Sequence, residues 1–571
     1  NDDLNQYIRA GVTPVSTMEP THGQEAFSDP VGPVEQGDIR PVAGTVTIEG
    51  AVFVNNTLTA KYDFFSPAGK EEGTSSYSWE IADSEDGSYT AVANTRQYTP
   101  QAADESRWLR VSVTPVDEDG LAGEPKTSVP VLISGEYQTF YVATNGSDEN
   151  DGSLEAPFAT IEHARDVVRS LDKKQPVKVM LRGGVYRISS KILFDSRDSG
   201  TEECPITYCA YGDETVTFSG STKLDVAKAV KVTDPAILDR VIDENAREKL
   251  MMIDLGAQGI DSIEAIKDGY GDGYWNSYPE MSVFYDGLEL TPARWPNDGF
   301  LRVNKVDVDS DTFKTAPFTL HYEDTENRAR QWSKEALANL YIGDRNSFSF
   351  QAHQVASVDA DNNSITSKAG SNYIVEPRCM FYFFNLLDEI DIPGESYMDR
   401  ENRILYYYPP NDNTLPAMEI NTLGSEIVSL AGVSYVNFEG LRFDGSKQQL
   451  FVAKDIDNVN INGCEFSRCS SAAVNITRGT NVTLENSHIY DTGAGGINLW
   501  ESGDRVSLTS GNVVIRNNRI HHVDRIVKVY VPAIRISGSV GTLIENNELY
   551  DAKQSIVNLD TSNDIQFNYN E

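Results

Sequence analysis

Apolar residues recur at fixed intervals in the last quarter of the chain, each behind a short run of polar or β-branched residues. Phe438, Ile461, Leu484, Ile515, Ile544 and Phe567 align as anchors at spacings of 23, 23, 31, 29 and 23 residues. Two positions beyond them stand Gly440, Gly463, Asn486, Asn517, Asn546 and Tyr569, and five beyond stand Phe443, Phe466, Ile489, Ile520 and Leu549. Such columns predict a parallel β-helix: inward apolar residues stack coil on coil, and Gly or Asn tolerates the left-handed turn and can ladder its amide. The Leu-rich consensus of a leucine-rich repeat is absent. Two coils are 6 to 8 residues longer than the rest, their surplus lying within 491–511 and 521–541. Solenoid insertions tend to emerge on one face, so the two loops are expected side by side as the wall of a cleft.

The pattern upstream differs. Residues 1–45, with Pro14, Pro20, Pro30, Pro33 and Pro41, read as an extended linker. Alternating runs separated by polar turns over 46–135 predict a β-sandwich around Trp79, similar to bacterial immunoglobulin-like modules and serving as a spacer. Residues 139–224 predict the capped start of the coil: Thr160 caps a helix bearing Ile161, Ala164, Val167, Val168 and Leu171, and strands follow at 177–181, 184–188 and 205–211. The Asp-rich turn near Asp148 and Asp151 lacks EF-hand ligand order and reads as solvated, structural calcium being the one cofactor left open. Residues 225–425 read as an inserted β-rich subdomain with a Tyr/Trp/Gly-rich stretch at 268–278 and a helical-looking segment at 327–340. Coils fill 426–571. The fold class is thus all-β: immunoglobulin-like sandwich, then right-handed parallel β-helix.

Composition narrows function. The 86 acidic against 48 basic residues give a net charge of −38, which argues against a nucleic-acid partner. No apolar run reaches the roughly 20 residues of a membrane helix. Five cysteines are too few for a disulfide framework and read as buried thiols. The start at Asn1 and the stop at Glu571 in mid-repeat suggest a fragment.

Three of seven histidines fall within residues 488–522, near the long loops. Glycoside hydrolysis needs two carboxyl groups about 5 to 9.5 Å apart, which stacking coils supply. Asp491 and Asp551 share one register position two coils apart, with Asp524 displaced on the coil between. Asp504, Asp524 and Glu571 are the candidate catalytic carboxylates; His488, Asp491, Trp500, Arg505, His521 and Arg535 are candidates for sugar binding. His521 and His522, adjacent on a strand, are expected on opposite faces and so unable to share a metal, and none is assigned. A polysaccharide lyase using Arg525, Lys528, Arg535 or Lys553 against a uronate is the alternative, and a non-catalytic glycan-gripping solenoid a third.

A family resemblance adds to this. Asn150-Asp-Gly-Ser-Leu-Glu-Ala-Pro-Phe-Ala-Thr-Ile161, Leu181-Arg-Gly-Gly-Val-Tyr186, Asp198-Ser-Gly-Thr201 with Pro205-Ile-Thr-Tyr208, Ala293-Arg-Trp-Pro-Asn297, Ile392-Pro-Gly-Glu395 with Leu405-Tyr-Tyr-Tyr408, and Gly493-Ala-Gly-Gly-Ile497 with Gly503-Asp-Arg505 belong together. As a set they resemble right-handed β-helix proteins related to glycoside hydrolase families 120 and 141, known for β-xylosidase, and for fucosidase and xylanase activities. The resemblance implies a secreted or cell-surface bacterial hydrolase of plant- or host-type glycans, xylan- or fucose-containing, working by paired acids. It also implies a further acid on coils beyond Glu571 and further domains of the same polypeptide, while Trp500-Glu501-Ser502 departs from the pattern and leaves the sugar open.

Overall fold

The computed structural model describes residues 9–13, 24–30, 40–50, 52–133, 137–173, 175–264, 266, 281–308, 312–333, 341–345, 350–371, 375–377 and 379–571. The chain divides into two compact units, Asn1–Tyr137 and Gln138–Glu571.

In the first unit, strand Ser76–Ala82 pairs antiparallel with Trp108–Thr114 and Thr90–Ala93, and a second sheet joins Thr47–Glu49, Leu58–Lys61 and Gln97–Tyr98. Trp79 is fully buried among Leu58, Leu109, Val111 and Val113, and its indole N–H reaches the Thr95 carbonyl at 2.9 Å. The linker expectation for 1–45 needs correction at two places. Gly11–Val12 pairs with Ala26–Phe27, and Val42–Ala43 joins the sandwich because Ala43 is small and apolar enough to enter its core. The remaining residues of that stretch outside 9–13, 24–30 and 40–45 lie outside the described residues.

The second unit begins with the strand Gln138–Val142 and the amphipathic helix Ile161–Arg169, whose cap Thr160 accepts the His163 N–H. Ile161, Ala164 and Val168 face the core. The Asp-rich turn braces this helix start. Asp148 accepts from the Ala159 and Thr160 amides, both at 2.9 Å, and Asp151 accepts from Ser153. Among the described residues no group of three or more His, Cys, Asp or Glu side chains is arranged to hold a metal, and no helix is long and apolar enough to cross a membrane.

Three parallel sheets then wind the coil. All six sequence anchors stack in the first sheet in the expected register, from Phe438 opposite Ile461 to Ile544 opposite Phe567. Phe443, Phe466, Ile489, Ile520 and Leu549 stack in the second. Between these sheets, Gly440, Gly463, Asn486, Asn517, Asn546 and Tyr569 all have φ between 52° and 65°. The turn column ladders as expected at one step, Asn517 Nδ2 donating to Asn486 Oδ1 at 3.3 Å, and a second, buried amide ladder lies one position further on. Asn518 Nδ2 donates to Asn547 Oδ1 at 3.0 Å, and Asn547 Nδ2 to Asn570 Oδ1 at 2.8 Å, while Asn547 Oδ1 also accepts the Asn518 amide. Asn547→Leu should therefore cost about 1–3 kcal/mol for each buried group left unpartnered, measurable as a lower urea midpoint of the coil.

Residues 220–427 leave the coil between two of its strands without breaking the stack. Val216–Ser219 still pairs with Leu441–Asp444, and Ile192–Asp195 with Val428–Ala431. Phe218 and Phe443 stack across that joint at 5.7 Å. Among the described residues the excursion folds into three sheets; Met380–Phe384 and Ile404–Tyr407 are interior strands, so their aromatics are largely core. Of the helical-looking 327–340, Arg328–Gln331 forms a single 3-10 turn, which ends where Trp332 packs into this core; residues 334–340, like the stretch 268–278, lie outside the described residues. The five cysteines are buried and form no disulfide. Burial pushes the Cys209, Cys464 and Cys469 thiols up to about 12.

Candidate active site

The long loops emerge at different corners of the coil, which corrects the expectation of one shared wall. One, residues 522–533, joins the second-sheet strand Arg519–His521 to the third-sheet strand Ile534–Ser537; the other, around Gly503–Gly511, joins Ile497–Trp500 to the first-sheet strand Val513–Arg516. Anchor spacing counts added residues but does not say where in the coil they enter. The missing wall comes from the inserted subdomain, whose hairpin Val283–Tyr285/Leu288–Glu289 faces loop 522–533.

From Leu441–Ser446 onward, each second-sheet strand carries a left-handed residue at or beside its end, and these form a column. Arg468, Asp491, His522 and Asp551 have φ of 57°, 52°, 51° and 49°, and Gly445 begins the series at 71°. At Gly445 a side chain would also strike Ser221 where the subdomain departs, so glycine alone fits. Asp491, His522 and Asp551 thus sit on three consecutive coils, with Asp524 two residues past His522 and Lys553 two past Asp551.

A hollow of about 490 Å³ opens here, lined by Asp491, His522, Asp524, Arg525, Lys528, Asp551 and Lys553 from the coil and by Glu289 and Thr291 from the subdomain. Asp524 is 5% exposed; its carboxylate accepts the Lys553 backbone N–H, with Lys553 Nζ at 3.9 Å. Arg525 ties the two walls together: it bonds Glu289, Ser282 Oγ at 2.7 Å and the Cys469 carbonyl at 2.8 Å. Lys528 donates to the carbonyls of Asp524 (2.9 Å) and Arg525, and burial, reinforced by Lys553, pushes its amine down to about 7.

Beside the hollow runs an aromatic ladder. Tyr490, His521 and Tyr550 are in register, with ring centroids 5.7 Å apart at 17° and 4.7 Å apart at 12°. The left-handed turn at His522 swings its ring back, so the two adjacent histidines meet instead of diverging. His521 Nδ1 lies 2.6 Å from His522 Nδ1, and His521 Nε2 lies 2.8 Å from His488 Nε2. Each contact needs one N–H and one lone pair. A proton on His522 Nε2, the nitrogen 3.5 Å from Asp551, resolves the set in one direction: His488 donates to His521, and His521 to His522. Burial and the two flanking imidazoles push His521 down to about 4. Between pH 6.5 and 4 the unfolded chain therefore binds a proton that the folded chain refuses, and stability falls as pH drops through that window. ¹⁵N NMR should find His521 neutral at pH 5.5; an imidazolium signal there would contradict the ladder.

The other sequence candidates stand elsewhere. Asp504 and Arg505 are exposed on the hairpin of the other corner, where Asp504 accepts from Val506 N and Ser507 Oγ, both at 2.8 Å. Those bonds hold its carboxyl below the usual range. Trp500 ends a third-sheet strand, 5.9 Å from the guanidinium of the buried Arg535, which bonds the Tyr530 carbonyl. Glu571 is exposed, its amide donating to Asn547 O at 2.9 Å. None of these five lines the hollow. Glu289 and Thr291 carried no signal in the sequence.

Fold and site together define an immunoglobulin-like module followed by a right-handed parallel β-helix. Residues 426–571, with an overlapping match at 338–510, fit the family model described as right handed beta helix region, and residues 43–130 fit the AIR9 A9 domain. A solved structure described as a glycoside hydrolase shares the fold at 14% identity and a TM-score of 0.53, over 76% of this chain and 96% of that one. Another, described as the complex of XylC with xylose, is 13% identical with a TM-score of 0.40, over 76% of this chain and 62% of that one. In sequence, 97 residues are 37% identical to the uncharacterized protein YwoF of Bacillus subtilis (strain 168), 17% of this chain; the chain spans 18% of that relative's length.

Proposed function

We propose that the chain hydrolyses a glycan in the hollow at the second-to-third corner. One observation carries this reading: Asp491, Asp524, Asp551 and Glu289, from three coils and the inserted subdomain, converge on a single sugar-sized hollow. Coils stack about 4.8 Å apart, so Asp491 and Asp551 attach about 9.6 Å apart, with Asp524 one coil from each. Hydrolases that activate water hold their carboxyls about 6.5–9.5 Å apart and those forming a glycosyl intermediate about 5–5.5 Å. Asp524, buried against the Lys553 N–H with the Lys553 ammonium at 3.9 Å, suits the base or nucleophile. Asp551, 3.5 Å from His522 Nε2 at the end of the imidazole chain, suits the proton donor once it has taken the His522 proton, which His521 and His488 then replace in turn. The ladder of Tyr490, His521 and Tyr550 offers edges and faces to a ring. A glycoside hydrolase of the same fold supports the activity, and the motif set points to a xylan- or fucose-containing glycan.

A second reading keeps one supporting observation. Lys528, pushed down to about 7 beside Arg525, has the properties of the base of a uronate lyase. Product analysis separates the two. Hydrolysis of a xylan- or fucose-containing glycan yields a saturated sugar and a new reducing end. β-Elimination yields an unsaturated, ultraviolet-absorbing uronate. Binding without either product would leave only a glycan-gripping solenoid.

A further inference from the structure

Behind the hollow, and sharing Glu289, Thr291, Arg525 and Lys528 with it, a pocket of about 190 Å³ runs between loop 522–533 and the inserted subdomain. It is smaller than the roughly 300–1,000 Å³ of a typical ligand site, so it suits one ring or one substituent, not an oligosaccharide. Its charge is unusual for a chain of net charge −38. Arg294, Arg400, Arg525 and Lys528 line it, and Glu289 is the one carboxylate among its described lining residues.

Two of those cations, Arg294 and Lys528, are held by groups that carry no charge of their own. Arg525 pairs with Glu289, but Arg294 is held by the carbonyls of Pro296 (2.9 Å) and Gly299, with its guanidinium 3.8 Å from the Tyr382 ring centre. Lys528, its amine pushed down to about 7, likewise rests on two carbonyls, and an acid bound beside it would favour its charged form. Carbonyls and a ring orient a cation without neutralising it, and a half-enclosed site strengthens its field over that in bulk water.

Resting on the glycan-cleaving reading above, we infer that this pocket is a subsite for an anionic substituent, carboxylate or sulfate, on the bound glycan. The neutral part of the sugar lies in the outer hollow, and the acid reaches inward toward Arg400 and Lys528.

The test uses the full chain and two probe pairs that differ only in the acid: xylotetraose with and without a glucuronate branch, and a fucose oligosaccharide with and without sulfate. Calorimetry should show the acid-bearing member of one pair binding at least about tenfold more tightly, an advantage that shrinks with added salt. Which pair responds identifies the acid. Arg400→Gln should erase the advantage and leave the neutral member's affinity unchanged. Equal affinity within both pairs, insensitive to salt, overturns the subsite while the hydrolase reading stands. Binding of none of the four overturns both.

Discussion

Asp524→Asn lowers kcat by about 10²–10⁴-fold, the range that a positioned acid–base group supplies, with little change in KM. The substitution keeps the size of the side chain and leaves an oxygen to accept the Lys553 N–H, so the turn survives while the negative charge is lost. Asp504→Asn, on the exposed hairpin at the other corner, should leave kcat within about twofold, because its carboxylate serves its own loop. Rates like those of the unaltered chain in Asp524→Asn would remove this carboxylate from the reaction. Equal losses in both variants would point to a general effect on folding, which the urea midpoint would expose.

Phe443→Ala has the largest expected effect on stability, about 3–5 kcal/mol. The ring is fully buried, stacked 5.7 Å from Phe218 and 5.1 Å from Phe466, and edge-on to Phe451 at 5.8 Å. Phe218 precedes the excursion of residues 220–427 and Phe443 follows it, so a cavity there loosens the joint that holds the first coils to the later ones. Urea unfolding should show a lower midpoint for the coil and an unchanged transition for the sandwich around Trp79. A shift worth less than about 1 kcal/mol would mean that the two halves of the coil stack independently.

The coil was legible because burial repeats at fixed positions. Inward residues such as Phe438 and Ile461 recur at the length of one turn, and left-handed positions select Gly or Asn. The site was half-legible. The register of Asp491 and Asp551 followed from counting, and the residue between them in that column is His522, whose left-handed turn no strand rule anticipates. The corner of each long loop could have been found from a second anchor. Val474, Ile497 and Val557 fall thirteen positions after their first-sheet anchors, but Ile534 falls nineteen after Ile515, which places that surplus before the third sheet. Asp504 and Asp524 would then have separated at once. The buried Asn ladder stood one residue past the Asn column that the sequence displays, because the turn residue itself points to solvent. Glu289 and Thr291 reach the site through contacts spanning more than two hundred residues, and nothing periodic marks them.

A crystal structure of the chain with a bound xylo-oligosaccharide tests the central claim most directly. The account predicts sugar density in the hollow bounded by Asp491, Asp524, Asp551 and Glu289, with two of those carboxyls about 5 to 9.5 Å apart on either side of one glycosidic oxygen. Sugar bound on another face of the coil, or carboxyls that leave the glycosidic bond unflanked, would contradict it.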